Sequence, residues 1–319
     1  MSDKKNIPEK SRLHARNRNR ERYDLDALIA AIPELADHVK PNKYGVDSIN
    51  FSSPEAVKLL NKALLSHYYG FKNWDFPDEN LCPPIPGRVD YIHRLADLLS
   101  ESNFGKIPRG KNIHCLDVGV GASCIYPILG SIEYQWNFIG SDIDPASLKS
   151  AQAIINSNEI LKDKVELKLQ KDSTKMFEGI LDQDDKIELS MCNPPFHASA
   201  NEAEEAAKRK VQNLSKRKIK NPTLNFAGNR NELIYEGGER EFIYNMIKQS
   251  ADYSKNCLWF SSLVSKESNL KAARNTIEKV GGVQSKVIPM GTGNKSSRIV
   301  VWSFHSKTEM KEWRKRKWA

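Results

Sequence analysis

Ile113-His114-Cys115-Leu116-Asp117-Val118-Gly119-Val120-Gly121-Ala122-Ser123 is the stretch on which the reading of this chain turns. Ile113 to Val118 has the length and apolar character of a buried strand. The two glycines that follow let backbone approach a ligand at the strand's carboxyl end. Dinucleotide sites place a third glycine three residues after the second. Here Cys124 stands there, so the pattern suits a nucleotide-like cofactor without phosphates. Twenty-five positions beyond Asp117, after an apolar run through Phe138-Ile139-Gly140, comes Asp142. An acid at the end of a second strand is placed to accept hydrogen bonds from a ribose diol.

Working outward, strands are expected near 113–118, 136–141, 165–170, 187–192, 256–263, 283–288 and 298–304. Helical patterns separate most of them, so the fold class is α/β with a seven-stranded, mostly parallel sheet covered on both faces. Gly291-Thr292-Gly293-Asn294 between the last two strands allows an antiparallel hairpin at the C-terminal edge. Ahead of this domain, residues 23–110 read as a small helical module. Leu25, Leu28, Ile29 and Ile32 recur at helical spacing, and Ser53-Pro54-Glu55 has the form of an N-cap with proline at the first helical position. Pro83-Pro84-Ile85-Pro86-Gly87 leads into a further helix over 89–99.

About seventy positions after the glycine turn, behind the fourth strand, stands Asn193-Pro194-Pro195-Phe196. A carboxamide oxygen and the next residue's carbonyl are two acceptors, and an exocyclic NH2 on a planar ring offers two donors. The prolines hold those acceptors outside any helix, and Phe196 supplies a face for the ring. A proline-stiffened loop after a strand is the bland alternative; the glycine turn and Asp142 upstream, in this order, argue for the pocket.

Taken together, Asp117 to Gly121, Asp142 and Asn193 to Phe196 resemble class I S-adenosylmethionine-dependent methyltransferases acting on amino groups. The longer strings Gly121-Ala122-Ser123-Cys124-Ile125-Tyr126-Pro127, Met191 to Phe196 and Glu236-Gly237-Gly238-Glu239 are similar to an adenine-N6 RNA methyltransferase group. That group spans bacterial enzymes of 23S ribosomal RNA and human methyltransferase-like protein 16, and the resemblance covers roughly residues 41–305. It implies a Rossmann-like domain over 111–305, S-adenosylmethionine as cofactor, and methylation of the N6 amine of one adenine in 23S ribosomal RNA. It further implies that Arg88 meets the cofactor's methionine carboxylate, as a guanidinium suits bidentate carboxylate recognition. Asp117, Gly119, Gly121 and Ser123 are expected at the same end of the cofactor, and Asp172-Ser173 near its adenine, although Asp172 also suits a helix cap.

The formal charge is +9, and its placement is informative. Residues 1–22 carry eight Lys or Arg against three acids, 208–220 seven against none, and 306–319 six against two. Those segments total +16, leaving about −7 for the remaining chain. Residues 1–22 are expected to be a disordered basic tail, 197–238 a basic substrate loop and 306–319 a second basic tail. Arg16, Arg18, Arg20, Lys216, Arg217, Lys218, Lys220, Arg314 and Arg316 are the expected phosphate contacts on RNA. Trp313 and Trp318 either stack on bases or pin the terminus to the fold.

Five cysteines without a C-x-x-C pair, and histidines without ligand spacing, argue against disulfides and a metal. No apolar run approaches the roughly 20 residues that span a bilayer, and the N-terminus is too polar for a signal peptide. The expectation is a cytoplasmic, monomeric enzyme that meets 23S ribosomal RNA or a large-subunit assembly intermediate and no membrane. Guanine-N2 methylation of RNA, glutamine methylation of a protein, and RNA binding without turnover are the competing functions. A compact amide gains little from three basic segments, which disfavours the second.

Overall fold

The computed structural model describes residues 13–205, 230–292 and 295–318. In chain order they form helix α1 (Leu25–Ala31), the strand pair β1 (Val39–Pro41) and β2 (Asp47–Ile49), and helices α2 (Pro54–Tyr69) and α3 (Ile85–Glu101). Then β3 (His114–Val118), α4 (Ile125–Tyr134), β4 (Asn137–Asp142), α5 (Pro145–Asn156), β5 (Val165–Leu169) and β6 (Ile187–Cys192) alternate. After a helical turn at Arg230–Leu233 come α6 (Gly238–Ser250), β7 (Cys257–Val264), α7 (Ser268–Lys279), β8 (Gln284–Thr292), β9 (Lys295–Ser303) and α8 (Lys307–Lys317).

All seven expected strands form one sheet in the order β5-β4-β3-β6-β7-β9-β8. The first five are parallel, and β9 lies antiparallel between β7 and β8. The central strands β6 and β7 are buried at every position, as strands covered on both faces must be. Chain order reverses direction beside β3, so a crevice opens at the carboxyl ends of β3 and β6, the position where open α/β sheets bind ligands. Local signals behave as their chemistry dictates. Ser53 caps α2 through Ala56 N, and Gly70, at φ +64°, ends it. Asp144 caps α5 ahead of Pro145.

The N-terminal region departs from expectation in two ways. It holds the β1–β2 pair besides its helices, and its core is not its own: Leu28, Leu64, Trp74 and Ile92 belong to one apolar cluster with Tyr134, Phe138, Leu189 and Trp313. Helix α3 is embedded in the catalytic domain, with Tyr91 Oη bonded to Ser261 Oγ of β7 at 2.8 Å.

The basic tails are corrected where they are described; residues 1–12 of the first lie outside the described residues. Residues 13–20 are not a free tail but a strap across α3, with Leu13, His14, Asn17 and Asn19 buried. Asp90 accepts from His14 N, Pro86 O from Asn17 Nδ2, and Tyr69 Oη from Asn19 Nδ2. Composition made this segment look unable to pack; it packs because its polar groups meet buried partners rather than because it brings apolar area. Residues 307–317 are helix α8, closed by a capping box between Ser306 and Glu309, with Met310 and Trp313 buried. The choice left open for Trp313 and Trp318 goes to pinning: both indole Nε1 groups donate to Glu188 Oε1, at 3.0 and 3.2 Å. No described helix is long and apolar enough to cross a membrane.

Candidate functional site

At the carboxyl ends of β3, β4 and β6 a cavity of about 860 Å³ opens over the glycine turn. Gly119 and Gly121 adopt φ +79° and +64°, conformations that a side chain strains, and so bare the turn's backbone toward the cavity. Asp142 Oδ2 accepts from Gly121 N at 2.9 Å and its Oδ1 from Asp144 N at 3.0 Å, so the second-strand acid locks the turn while lining the cavity. A carboxylate has capacity for further hydrogen bonds beyond these two. Ser123 lines the cavity too, its carbonyl held by the buried Trp74 indole at 2.8 Å.

Arg88, at the start of α3, reaches the same cavity. Its Nη1 donates to Tyr126 Oη at 2.8 Å and its guanidinium lies over that ring at 5.5 Å, while its buried Nε has no partner among the described residues. Asp117, one residue before the lining Val118, does not itself line the cavity: it is fully buried, with neither carboxylate oxygen hydrogen-bonded among the described residues. Burial pushes its pKa up to about 8, Arg88 draws it down, and Asp142 raises it further. Asp142 is itself pushed up by burial, against the bonds from Asp144 and Gly121.

Asn193, Pro195 and Phe196 stand at the border of two cavities. The first is lined by Asn193 and Pro195; a second, of about 850 Å³, by Asn193 and Phe196. Leu81 and Arg88 are the other residues common to both walls. The Asn193 carboxamide makes no hydrogen bond to any described residue, so its acceptor is available. Pro194 is buried and lines neither cavity. Phe51, Phe76, Leu263 and Met290 give the second cavity an apolar wall suited to a planar ring.

The remaining expectations divide. Ser173 lines the first cavity, whereas Asp172 does not. Asp172 Oδ1 instead accepts from Thr174 N and Thr174 Oγ1, at 2.9 and 2.7 Å, closing a local turn. Arg16 is bound to Asp97 and Tyr134, and Arg18 to Glu133 and Tyr68 O, so both are engaged in holding the strap. Arg20 Nη1 donates to Ala15 O at 3.4 Å. Arg314 and Arg316, on α8, line neither cavity. Lys216, Arg217, Lys218 and Lys220 lie outside the described residues.

Sequence reasoning missed several lining residues. Gln249 of α6 lines the first cavity and fastens its rim, accepting from Met176 N and donating to Thr174 O at 2.8 and 2.7 Å. Glu232 reaches over Gly121 and accepts from Asn80 Nδ2 and Leu81 N, joining the two sides of the cavity mouth. Glu239, buried, accepts from Ser265 N, Lys266 N and Asn269 Nδ2, which seats α6 against the loop after β7. The Glu236 to Glu239 string carried this signal. Its two glycines, at φ +80° and +67°, let α6 begin beside Ala198, two residues after Phe196.

A family model described as RNA methyltransferase matches residues 7–306. The ribosomal RNA large subunit methyltransferase F of Cytophaga hutchinsonii is 49% identical over 309 residues, covering 97% of this chain and 96% of its own. That of Serratia proteamaculans is 48% identical, over 100% and 95%. The crystal structure of the human Mettl16 catalytic domain in complex with MAT2A 3′UTR hairpin 1 superposes with a TM-score of 0.78 at 29% identity, over 92% of this chain and 96% of that one. The N-terminal domain of human METTL16 in complex with SAH gives 0.72 at 27%, over 92% and 99%.

The methyl donor of these enzymes is S-adenosylmethionine, and the residues present fit it. The amino-acid end of that molecule is a zwitterion, and Arg88, with a free N–H, acts electrostatically on Asp117, whose two oxygens are bare. No group of three or more potential metal ligands occurs among the described residues. An exposed glycine turn, an unpaired cation and acid beside it, and a carboxamide shared between two cavities thus belong to an S-adenosylmethionine-dependent enzyme, and the chain is a member of the RNA methyltransferase family that contains the ribosomal RNA large subunit methyltransferases F.

Proposed function

We propose that this enzyme methylates the exocyclic N6 amine of one specific adenine in 23S ribosomal RNA, acting as a cytoplasmic monomer on the RNA or on a large-subunit assembly intermediate. The observation that carries the reading is the position of Asn193, between the cavity over the glycine turn and the cavity walled by Phe196. An adenine entering from the second cavity brings its amine to a carboxamide with no competing partner, while its ring meets Phe196. The target base must leave its stack to enter, at a cost of a few kcal/mol that stacking on an aromatic ring offsets in part.

The chain's own contribution is binding, orientation and charge placement. When bound, S-adenosylmethionine supplies a methyl group already made electrophilic by the sulfonium. The aromatic amine is a poor nucleophile because its lone pair is delocalised into the ring. Asn193 Oδ1 and the Pro194 carbonyl accept its two N–H bonds and favour a pyramidal nitrogen whose lone pair points toward the first cavity. Arg88 and Asp117 fix the amino-acid end of the donor, Asp142 its ribose, and Ser173 its adenine side. Holding two reactants in line supplies on the order of 7 to 11 kcal/mol in well-oriented reactions. The bound donor would give up its methyl to that nitrogen with cleavage of the sulfur–carbon bond, and the methylated amine would release its extra proton to water. Lys216, Arg217, Lys218 and Lys220, with Arg314 and Arg316, provide the phosphate contacts.

Nucleoside mass mapping of ribosomal RNA from cells with and without the gene tests this reading. One N6-methyladenosine in 23S ribosomal RNA is expected to disappear, and purified enzyme is expected to restore it. Loss of a methylguanosine instead, or label transferred only to protein, overturns the adenine assignment.

A further inference from the structure

We infer that Phe104 and the C-terminal helix α8 form a second RNA-binding surface remote from the transfer site, where the Phe104 ring and the Arg314 guanidinium hold an unpaired base. The inference rests on RNA being the substrate.

Phe104 is the most exposed large apolar residue described, at 80%, and it stands at φ +54°. That left-handed conformation is an outlier for a bulky side chain and is natural to glycine or asparagine. The turn itself is fully bonded without the ring: Gly105 N donates to Ser100 O and Lys106 N to Asn103 O, both at 2.9 Å, and Asn103 Nδ2 donates to Lys106 O. Fold requirements alone would select a small residue here. The ring's partner is Arg314, whose Cζ lies 3.9 Å from its centroid.

The surrounding charge is open on one side only. Glu309 is engaged in the Ser306 capping box, Glu312 with Lys315, and Glu101 with Lys286. Lys307, Lys311 and Arg314, four and three residues apart along one face of α8, have no ion pair among the described residues, so cations continue along the helix from the one that meets the aromatic ring, while the Lys317 charge faces the buried Glu188. The helix is also fixed in place. Met310 Sδ accepts from Ser102 Oγ and Gln284 Nε2, and Trp313 and Trp318 donate to Glu188. A rigid aromatic ring beside a planar cation, among free Lys and Arg, matches a base and its neighbouring phosphates. An acidic protein would use the cations and leave the ring idle.

Helix α3 separates the two sites, with Arg88 in its first turn and Phe104 just past its end. Its 17 residues span about 25 Å. RNA that reaches both surfaces therefore presents structure well beyond the target nucleotide, which gives the enzyme a means of choosing one adenine that the small pocket at Asn193 lacks.

The test uses full-length enzyme with deproteinised large-subunit RNA from cells lacking the gene, and heparin as a polyanion without bases. Phe104→Gly is expected to keep or raise Tm and to weaken RNA binding roughly five- to tenfold. The loss should fall on KM for RNA, with kcat at saturating RNA, S-adenosylhomocysteine affinity and heparin affinity unchanged. Arg314→Gln with Lys311→Gln should weaken both polyanions and flatten the salt dependence of RNA binding by about 0.7 per lost phosphate contact. Unchanged RNA affinity in both variants overturns the inference, as does a Phe104→Gly enzyme that loses Tm and kcat together. Wild-type enzyme that binds RNA in this ring-dependent way yet transfers no methyl group would refute the proposed function and support the second surface.

Discussion

Asp117 and Glu188 are fully buried carboxylic acids on the neighbouring parallel strands β3 and β6, at opposite ends of the same sheet. Glu188, at the amino end, receives three N–H groups, from His114 N, Trp313 Nε1 and Trp318 Nε1. Asp117, at the carboxyl end, receives none among the described residues. Burial raises the pKa of both, and in Glu188 the three donors counter it. An acid surrounded by donors from its own chain is a clamp; one left bare beside an unpaired arginine awaits charge from outside. The two ends of the sheet should therefore fail differently when altered.

The largest effect is expected at the closed end. Glu188→Ala leaves three donors without their acceptor, one fully buried and two part-buried, at roughly 1 to 3 kcal/mol each before relaxation, so a loss of about 3 to 5 kcal/mol in unfolding free energy is expected by denaturant titration. The protein that remains folded should bind S-adenosylhomocysteine with wild-type affinity. A stable variant, or a folded one that has lost the cofactor, would break the contrast.

At the open end, Asn193→Ala should leave stability and RNA affinity nearly intact and reduce kcat on the order of a hundredfold or more, since positioning is removed with no buried partner stranded. Single-turnover methyl transfer measures it. Asp117→Asn sharpens the comparison through pH. Its pKa rises from 3.8 to about 8 on folding, so over that window the folded chain binds a proton that the unfolded chain has released. Stability therefore falls as pH rises from 4 to about 8, and Asp117→Asn should flatten that slope and stabilise the enzyme at neutral pH. The same change should weaken S-adenosylhomocysteine binding about tenfold, because the cofactor's ammonium loses its counter-charge. Calorimetry across pH reads both.

What the sequence disclosed follows the same divide. Strands, glycine turn, Asp142 and the Asn193 tetrad were legible because period, backbone freedom and local chemistry are written in adjacent residues. Arg88 was reached only through resemblance, because its place depends on how α3 docks. The strap over residues 13–20 and the α8 clamp were misread as tails, since hydrogen bonds from Asn17 to Pro86 O or from Trp313 to Glu188 span 69 and 125 positions and leave no local trace. Gln249 and Glu232 were missed for that reason too: each closes the cavity rim by bonding a loop distant in sequence.

Asp172 and Ser173 give the finest form of the contrast, because adjacent residues fall on different sides of it. Asp172 has its carboxylate occupied by Thr174, and that local bond holds its pKa below the usual carboxylate range, whereas Ser173 faces the cavity. Asp172→Ala should change S-adenosylhomocysteine affinity by less than about twofold, the scale of an exposed turn bond. Ser173→Ala should cost a little more if the hydroxyl meets the cofactor. Equal, larger losses at both positions in the same calorimetric series would mean that the turn as a whole, rather than one side chain of it, forms the adenine end of the site.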